Sequence, residues 1–80
     1  MKIQLLFFGI STDLVGRSSM SFKLKENSTV KEFKEILLLN FSALKNMQQF
    51  AIAVNETYVN DDILLQEGDI IAIIPPVSGG

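Results

Sequence analysis

Three features of the sequence predict an α+β fold, in which one main helix packs on one face of a mixed sheet. Apolar segments with the alternation typical of β-strands begin and end the chain. A single segment with helical periodicity begins after Thr29, between these strands. The length of 80 residues suits one domain. We therefore expect a folded domain over residues 1–74, followed by an extended tail over residues 75–80.

Two strands are predicted in the first third of the chain. Lys2–Phe8 is apolar at nearly every position, and its alternation predicts a strand. Ser19–Lys25 alternates apolar and polar side chains, which indicates an antiparallel strand with one face in water. The connection between them, Ser11–Gly16, is expected to contain a helical turn near residues 13–15.

The main helix has a clear beginning and one apolar face. Thr29 is the predicted N-cap, and Glu32 stands three residues later, where it completes a capping box. We expect the helix to end between Asn40 and Leu44. The predicted apolar stripe consists of Val30, Phe33, Leu37, Leu38 and Phe41.

The last third of the chain predicts a short hairpin and a final strand. Phe50–Asn55 is expected to be a strand, Asn55-Glu56 a tight turn, and Thr57–Val59 the returning strand. Loops are predicted at residues 60–62 and 67–69 because they are rich in Asn, Asp and Gly. Ile70–Ile74 is the final strand.

The order of these elements specifies a topology. The first and last strands are the most apolar, so we expect them to be central and adjacent in the sheet. The helix and hairpin between them provide the long crossover that parallel pairing requires. One helix on a mixed sheet with this order is the β-grasp, or ubiquitin-like, fold.

The two central strands are apolar on both faces, although one helix covers only one face. Such continuous apolar strands are usually covered on both sides. Two explanations are open: the Ser11–Gly16 connection folds over part of the second face, or a partner protein covers it. In the second case Phe8, Tyr58 and Ile74 are the expected anchors, since large apolar side chains dominate interface energies. A mean hydropathy of +0.30 agrees with an exposed docking surface.

The tail, residues 75–80, is expected to extend away from the sheet. Pro75 and Pro76 have no N–H to donate and fix φ near about −65°, which favours an extended path. Six residues reach at most about 20 Å. Gly79 and Gly80 have no side chains, so this end suits a narrow channel. We expect the Gly80 carboxylate to be delivered into the site of another enzyme.

Composition excludes several other classes of protein. A net charge of −2 and a pI near 4.9 argue against nucleic acid as a partner. No segment is long enough to cross a membrane and no secretory signal is evident, so we expect a cytoplasmic protein. The chain has no Cys or His, and Asp61-Asp62 alone is a solvated loop rather than a metal site. No stably bound cofactor or metal is expected, and the chain is not an enzyme by itself.

Four segments resemble the small, sulfur-carrying subunit of molybdopterin synthase. The most specific is Leu65–Gly80 with its Pro-Pro-Val-Ser-Gly-Gly ending. Leu5–Gly9, Asp13–Gly16 and Ala53–Thr57 are similar to the first strand, its connection and the middle turn of that family. The family commonly has an arginine after the first strand, where this chain has Ser11-Thr12.

The resemblance implies a mechanism and a set of partners. A ubiquitin-activating-type adenylyltransferase would use ATP to adenylate the Gly80 carboxylate, and a sulfur donor would convert the adenylate into a thiocarboxylate. The tail, including Gly79, would then enter the large, catalytic subunit of the synthase, in a heterotetramer of two small and two large subunits. The residues expected to bind these partners are Phe8, Tyr58, Ile74, Pro75, Pro76, Val77 and Ser78.

Two other functions fit the same features. One is a sulfur carrier for thiamine synthesis or tRNA thiolation, because a related carrier shares the fold and the Gly-Gly end. The other is a ubiquitin-like protein modifier, which would form isopeptide conjugates through Gly80, or a plain interaction module.

Overall fold

The computed structural model of the protein describes residues 1–47 and 49–76. These residues form one five-stranded sheet with the order β2-β1-β5-β3-β4. The central pair, β1 and β5, is parallel, and the other pairs are antiparallel. This is the predicted β-grasp topology. The elements are β1 (Lys2–Phe7), α1 (Ile10–Val15), β2 (Ser19–Lys23), α2 (Val30–Asn40), a 3-10 helix (Ser42–Asn46), β3 (Ala51–Val54), β4 (Thr57–Tyr58) and β5 (Ile70–Ile74).

The core lies between α2 and one face of the sheet. The parallel register aligns Leu5 with Ile71 and Phe7 with Ile73, and all four side chains are buried. From α2, Phe33 reaches this layer and packs edge-to-face on Phe22 of β2, with ring centroids 5.8 Å apart. The other buried members of the cluster are Ile3, Leu24, Val30, Leu37, Leu44, Met47, Ile52 and Leu65.

The first two strands are shorter than predicted, and hydrogen bonds explain both ends. β1 stops at Phe7 rather than Phe8, because the Phe8 carbonyl accepts from the N–H and the hydroxyl of Ser11 instead of continuing the sheet. β2 stops at Lys23 rather than residue 25, because its partner Lys2 is the first residue of β1.

The hairpin strands are also shorter than predicted. β3 begins at Ala51 rather than Phe50: Ala51 pairs with Ile74, and the next residue of that neighbour is Pro75, which has no N–H for a ladder. β3 ends at Val54 because residue 55 belongs to the turn, and β4 stops at Tyr58 although the N–H of Val59 still donates to the carbonyl of Ile52.

The predicted turn at Asn55-Glu56 is present and has an unusual sequence for its geometry. Both residues have positive φ, 49° and 74°, as in the type I′ turn that joins two-residue hairpins. Asn tolerates this region, whereas Glu costs about 1–2 kcal/mol there relative to glycine. The Asn55 side chain fixes the turn to the start of β5: it accepts from the N–H of Ile70 and donates to the Asp69 carboxylate, both at 3.0 Å.

Helix α2 begins with the predicted capping box. The Thr29 hydroxyl accepts from the N–H of Glu32 at 3.2 Å, and the Glu32 carboxylate accepts from the N–H of Thr29 at 3.0 Å. Two hydrogen bonds that Thr29 donates to the carboxylate lower the pKa of Glu32 below its usual value near 4.5. The bond from the Thr29 backbone N–H has the larger effect, and the bond from the Thr29 hydroxyl has the smaller one. The helix ends at Asn40, within the predicted range. None of the helices in the described residues is long and apolar enough to cross a membrane.

We expect Glu32→Gln to remove part of the acid dependence of folding. A carboxyl group whose pKa is lowered in the folded state stabilises the fold above its unfolded pKa. That contribution disappears as the pH falls through the lowered value, and the variant should lack it. Urea unfolding at neutral pH and at a pH below the folded-state pKa measures the difference. Glu35→Gln, on the same helix but outside the capping box, is the control, and an equal effect of both variants would contradict the prediction.

Candidate docking face and tail root

The face of the sheet opposite α2 carries a row of side chains that crosses four strands. The register aligns Leu6 with Ala72, Ala72 with Ala53, and Ala53 with Tyr58, and paired residues point to the same face. Ile70 lies in the next row and is 46% exposed. We call this surface the open face; it consists of Leu6, Ala51, Ala53, Tyr58, Ile70, Ala72 and Ile74.

The connection after β1 does not cover the open face. Its helix α1 packs against the 3-10 helix, and its Leu14 and Val15 pack against the core cluster. α1 therefore lies on the same side of the sheet as α2. The expectation that Ser11–Gly16 folds over the second face does not hold, and the explanation by a partner protein remains.

A groove of about 330 Å³ lies where β5 ends and the tail begins. Tyr58 and Ile74, two of the three predicted anchors, are both in its lining, and Tyr58 is 68% exposed. The lining consists of Gln49, Phe50, Ala51, Tyr58, Ile74, Pro75 and Pro76. We call Pro75-Pro76 the tail root. A partner side chain in this groove would contact the open face and the tail root together.

The third predicted anchor, Phe8, lies on the other side of the β5 end. It is 48% exposed, and its N–H donates to the carbonyl of Ile73 at 3.3 Å. The described residues that line the groove do not include Phe8. The three anchors thus flank the end of β5, with Tyr58 and Ile74 in one groove and Phe8 on the β1 side.

Gly9 allows the chain to leave the sheet after β1, at a point directly beside the tail root. Its φ of 54° and ψ of −136° mirror the extended conformation of ordinary residues and are accessible mainly to glycine. A Cβ atom at this position would lie 3.3 Å from Cγ of Pro75. The proline ring therefore packs on the bare α-carbon of Gly9. No local pattern signals this role, because the contact joins positions at opposite ends of the chain.

The residues after Gly9 fix the end of β1. The Ser11 side chain is fully buried, and its hydroxyl accepts from the N–H of Phe8 at 3.0 Å and donates to the Phe8 carbonyl. The Thr12 hydroxyl donates to the carbonyl of Phe7 at 3.0 Å. Ser11-Thr12, which stand where the resembled family commonly has an arginine, serve here to hold the strand end in place.

Phe50 is a residue of the groove that sequence reasoning assigned only to a strand. Its ring lies under the Lys34 ammonium, 5.9 Å from the centroid. Lys34 also forms an ion pair of 2.8 Å with Asp61, which joins α2 to the loop after β4. These contacts hold one wall of the groove. The pairing of a half-exposed aromatic with a lysine on a distant helix is not visible in the sequence.

The last four residues of the tail are not among the described residues. Val77, Ser78, Gly79 and Gly80 lie outside them, and their roles stay predictions. Pro75 is half-buried and Pro76 is exposed directly after β5. Within residues 1–47 and 49–76, no group of three His, Cys, Asp or Glu side chains is arranged to hold a metal ion.

The sheet order, the single main helix and the proline-rich root of the tail define a ubiquitin-like β-grasp protein. The model of the ThiS family matches residues 5–80. The chain belongs to the ThiS family.

Three similar proteins agree with this assignment. The chain is 34% identical to a molybdopterin synthase sulfur carrier subunit from Arabidopsis thaliana, over 99% of this chain and 83% of that protein. It is 26% identical to the structure of a putative molybdopterin converting factor subunit 1 from Pyrococcus furiosus, with a TM-score of 0.87 and coverage of 96% and 99%. It is 30% identical, with a TM-score of 0.71 and full coverage of both chains, to a chain in a complex of subunits 1 and 2 of the molybdopterin-converting factor from Helicobacter pylori. The resemblance to the small subunit of molybdopterin synthase is confirmed.

We expect substitutions on the two faces of the sheet to differ sharply in their effect on stability. Tyr58→Ser should change the free energy of unfolding by no more than about 0.5–1 kcal/mol, because the ring is mostly in water. Ile73→Ala, in the buried layer, should lower it by about 2–5 kcal/mol. Urea denaturation of the isolated protein measures both. A loss of several kcal/mol with Tyr58→Ser would mean that the open face is covered in the free protein.

Proposed function

We propose that this protein is the sulfur carrier subunit of a molybdopterin synthase and carries sulfur on the C-terminal carboxyl group of Gly80. The observation that carries the proposal is the family match, which spans residues 5–80 and so includes Gly79 and Gly80. Relatives that are named as this subunit align with 99% of the chain.

The proposed cycle begins with activation, because a free carboxylate is a poor electrophile. An adenylyltransferase joins a Gly80 carboxylate oxygen to the α-phosphorus of ATP, and pyrophosphate leaves. Hydrosulfide from a sulfur donor then attacks the carbonyl carbon and displaces AMP, and loss of the remaining S–H proton gives a thiocarboxylate. Inside the large subunit its sulfur attacks a carbon of the pterin precursor and displaces an oxygen substituent from that carbon. Water then cleaves the acyl–sulfur bond, which restores the carboxylate and leaves the sulfur on the pterin. Two such cycles supply both sulfurs of a dithiolene.

The contribution of this chain is delivery rather than acid–base chemistry. It has no His or Cys, and we propose that the large subunit supplies the groups that move protons. Pro75 and Pro76 reduce the conformational freedom that the tail loses when a partner orders it. The contact between Pro75 and Gly9 fixes the position of the tail root.

The open face supports docking of the large subunit beside the tail. Burial of apolar surface contributes about 25 cal/mol per Å² before association costs are subtracted. Tyr58, Ile74 and Phe8 flank the tail root, so a partner that buries them also receives the tail. The adenylyltransferase must receive the same tail, and we propose that it docks on the same face. The stoichiometry of two small and two large subunits rests on the family resemblance.

Conversion of the terminal carboxylate is the direct test. With the adenylyltransferase, ATP and a sulfur source, the intact mass should rise by the difference between one sulfur and one oxygen atom. A variant that lacks Gly80 should show no such change and should unfold at the same urea concentration as the parent. An unchanged mass of the parent, or an exchange that survives deletion of Gly80, contradicts the proposal.

The product distinguishes this carrier from the alternatives. Restoration of molybdenum-enzyme activity in a strain without its own small subunit supports the proposed function. Restoration of thiamine synthesis or tRNA thiolation alone would assign the carrier to those products instead. Isopeptide conjugates that depend on Gly80, formed without any thiocarboxylate, would indicate a protein modifier.

Phe8→Asp should weaken docking of both partners. The substitution places a charge in a surface that loses its water on binding, so we expect dissociation constants to rise by about 10- to 100-fold. Calorimetric titration with each partner measures the effect, and Glu35→Gln on α2 is a control on the opposite side. The two partners should also compete, so a stable complex of all three proteins would disprove the shared face.

A further inference from the structure

Glu56 occupies a backbone position that disfavours its side chain. It is the second residue of the β3–β4 turn, with φ of 74°, where glycine is the preferred residue. The positive φ of the preceding residue, Asn55, is stabilised because its side-chain amide forms two hydrogen bonds to the start of β5. The Glu56 side chain is exposed, and among residues 1–47 and 49–76 it takes part in no ion pair or side-chain hydrogen bond. No described residue therefore stabilises the fold through an ion pair or hydrogen bond with this carboxylate.

The position of Glu56 relates it to the docking surface. Together with Leu6, Asn55 and Ile70 it lines a shallow groove of about 380 Å³. Leu6 and Ile70 belong to the open face, so the carboxylate lies at the rim of that face, on the end away from the tail root. An apolar centre with a polar, solvent-accessible rim is the usual arrangement of a protein interface.

The nearest lysines of the same face do not neutralise this corner. Lys2 and Lys23 are aligned with each other in the β1–β2 register, on the side of the sheet away from the hairpin. Neither forms an ion pair with Glu56 within the described residues. The carboxylate of Glu67 lies beside Lys2, where it accepts from the backbone N–H of that residue at 3.0 Å. The rim of the open face thus has charges of both signs at the first two strands and the Glu56 carboxylate at the β3–β4 turn.

We propose that Glu56 is a specificity residue, whose carboxylate meets an arginine or lysine side chain of the large synthase subunit when the open face is covered. The proposal rests on the function proposed above and adds the chemistry of one contact in that interface. A charge at the rim of an interface acts mainly on the association rate and on its dependence on salt. A cationic partner group would give this carboxylate a role at a backbone position that glycine fits better.

Association kinetics of the full-length protein with the large subunit from the same genome test this contact. At low ionic strength, Glu56→Gln should lower the association rate constant by about 2- to 5-fold and make it less sensitive to salt, with little change in the dissociation rate. Glu56→Lys should lower it further and reverse the salt dependence.

Glu56→Gly separates function from folding. Glycine relieves the backbone conformation, so this variant should unfold at a higher temperature than the parent and yet associate as slowly as Glu56→Gln. A residue with a purely structural role would not show these opposite effects. Glu35→Gln, which removes the same charge from α2, should leave the association rate unchanged.

The binding experiment distinguishes failure of the role of Glu56 from failure of the proposed function. If the parent binds the large subunit and Glu56→Gln associates at the parental rate with the parental salt dependence, the role of Glu56 is wrong while the proposed function stands. If the parent does not bind the large subunit at all, the proposed function fails together with this inference.

Discussion

Parallel pairing of β1 with β5 is the constraint on which the rest of the structure depends. It joins the first and last strands, so everything between them must form the crossover, and the crossover supplies only one main helix. The helices lie on one face, and no element within residues 1–47 and 49–76 covers the open face. Parallel strands also end at the same edge of the sheet. The chain therefore leaves β1 at Gly9 directly beside the root of the tail at Pro75.

The topology could be predicted from the sequence because several signals agreed. The apolar character of Lys2–Phe7 and Ile70–Ile74, together with the capping box at Thr29, leaves few arrangements that bury both strands. The exact strand ends could not be predicted, because each depends on the last residue of the neighbouring strand that can form a backbone hydrogen bond. The last N–H donor before Pro75, for example, determines where β3 begins.

The candidate site was predictable only in its exposed apolar part. Tyr58 and Ile74 follow from alternation in strands, and the structure places both in one groove. Gly9 and Phe50 were not found, since each acts through a contact with a residue distant in sequence. The positive φ of Glu56 could not be predicted for another reason. The sequence indicates a tight turn at this point, but it does not specify the turn type and so does not give the sign of φ at each turn residue.

The apolar character of both faces of β5 has a consequence for how the strands find their alignment. In most sheets a shift by one residue would exchange buried and solvated side chains, and this penalty fixes the register. Here a one-residue shift would keep an isoleucine at one of the two buried positions, but Ala72 would replace Ile71 or Ile73 at the other and open a cavity in the core. The single Ala72 therefore helps to fix the register. Polar contacts at the strand ends add to it, because Asn55 holds the start of β5 and Ser11 holds the end of β1. Alignment of a strand that is apolar on both faces thus depends on one small residue in the interior and on a few hydrogen bonds at the margins of the sheet.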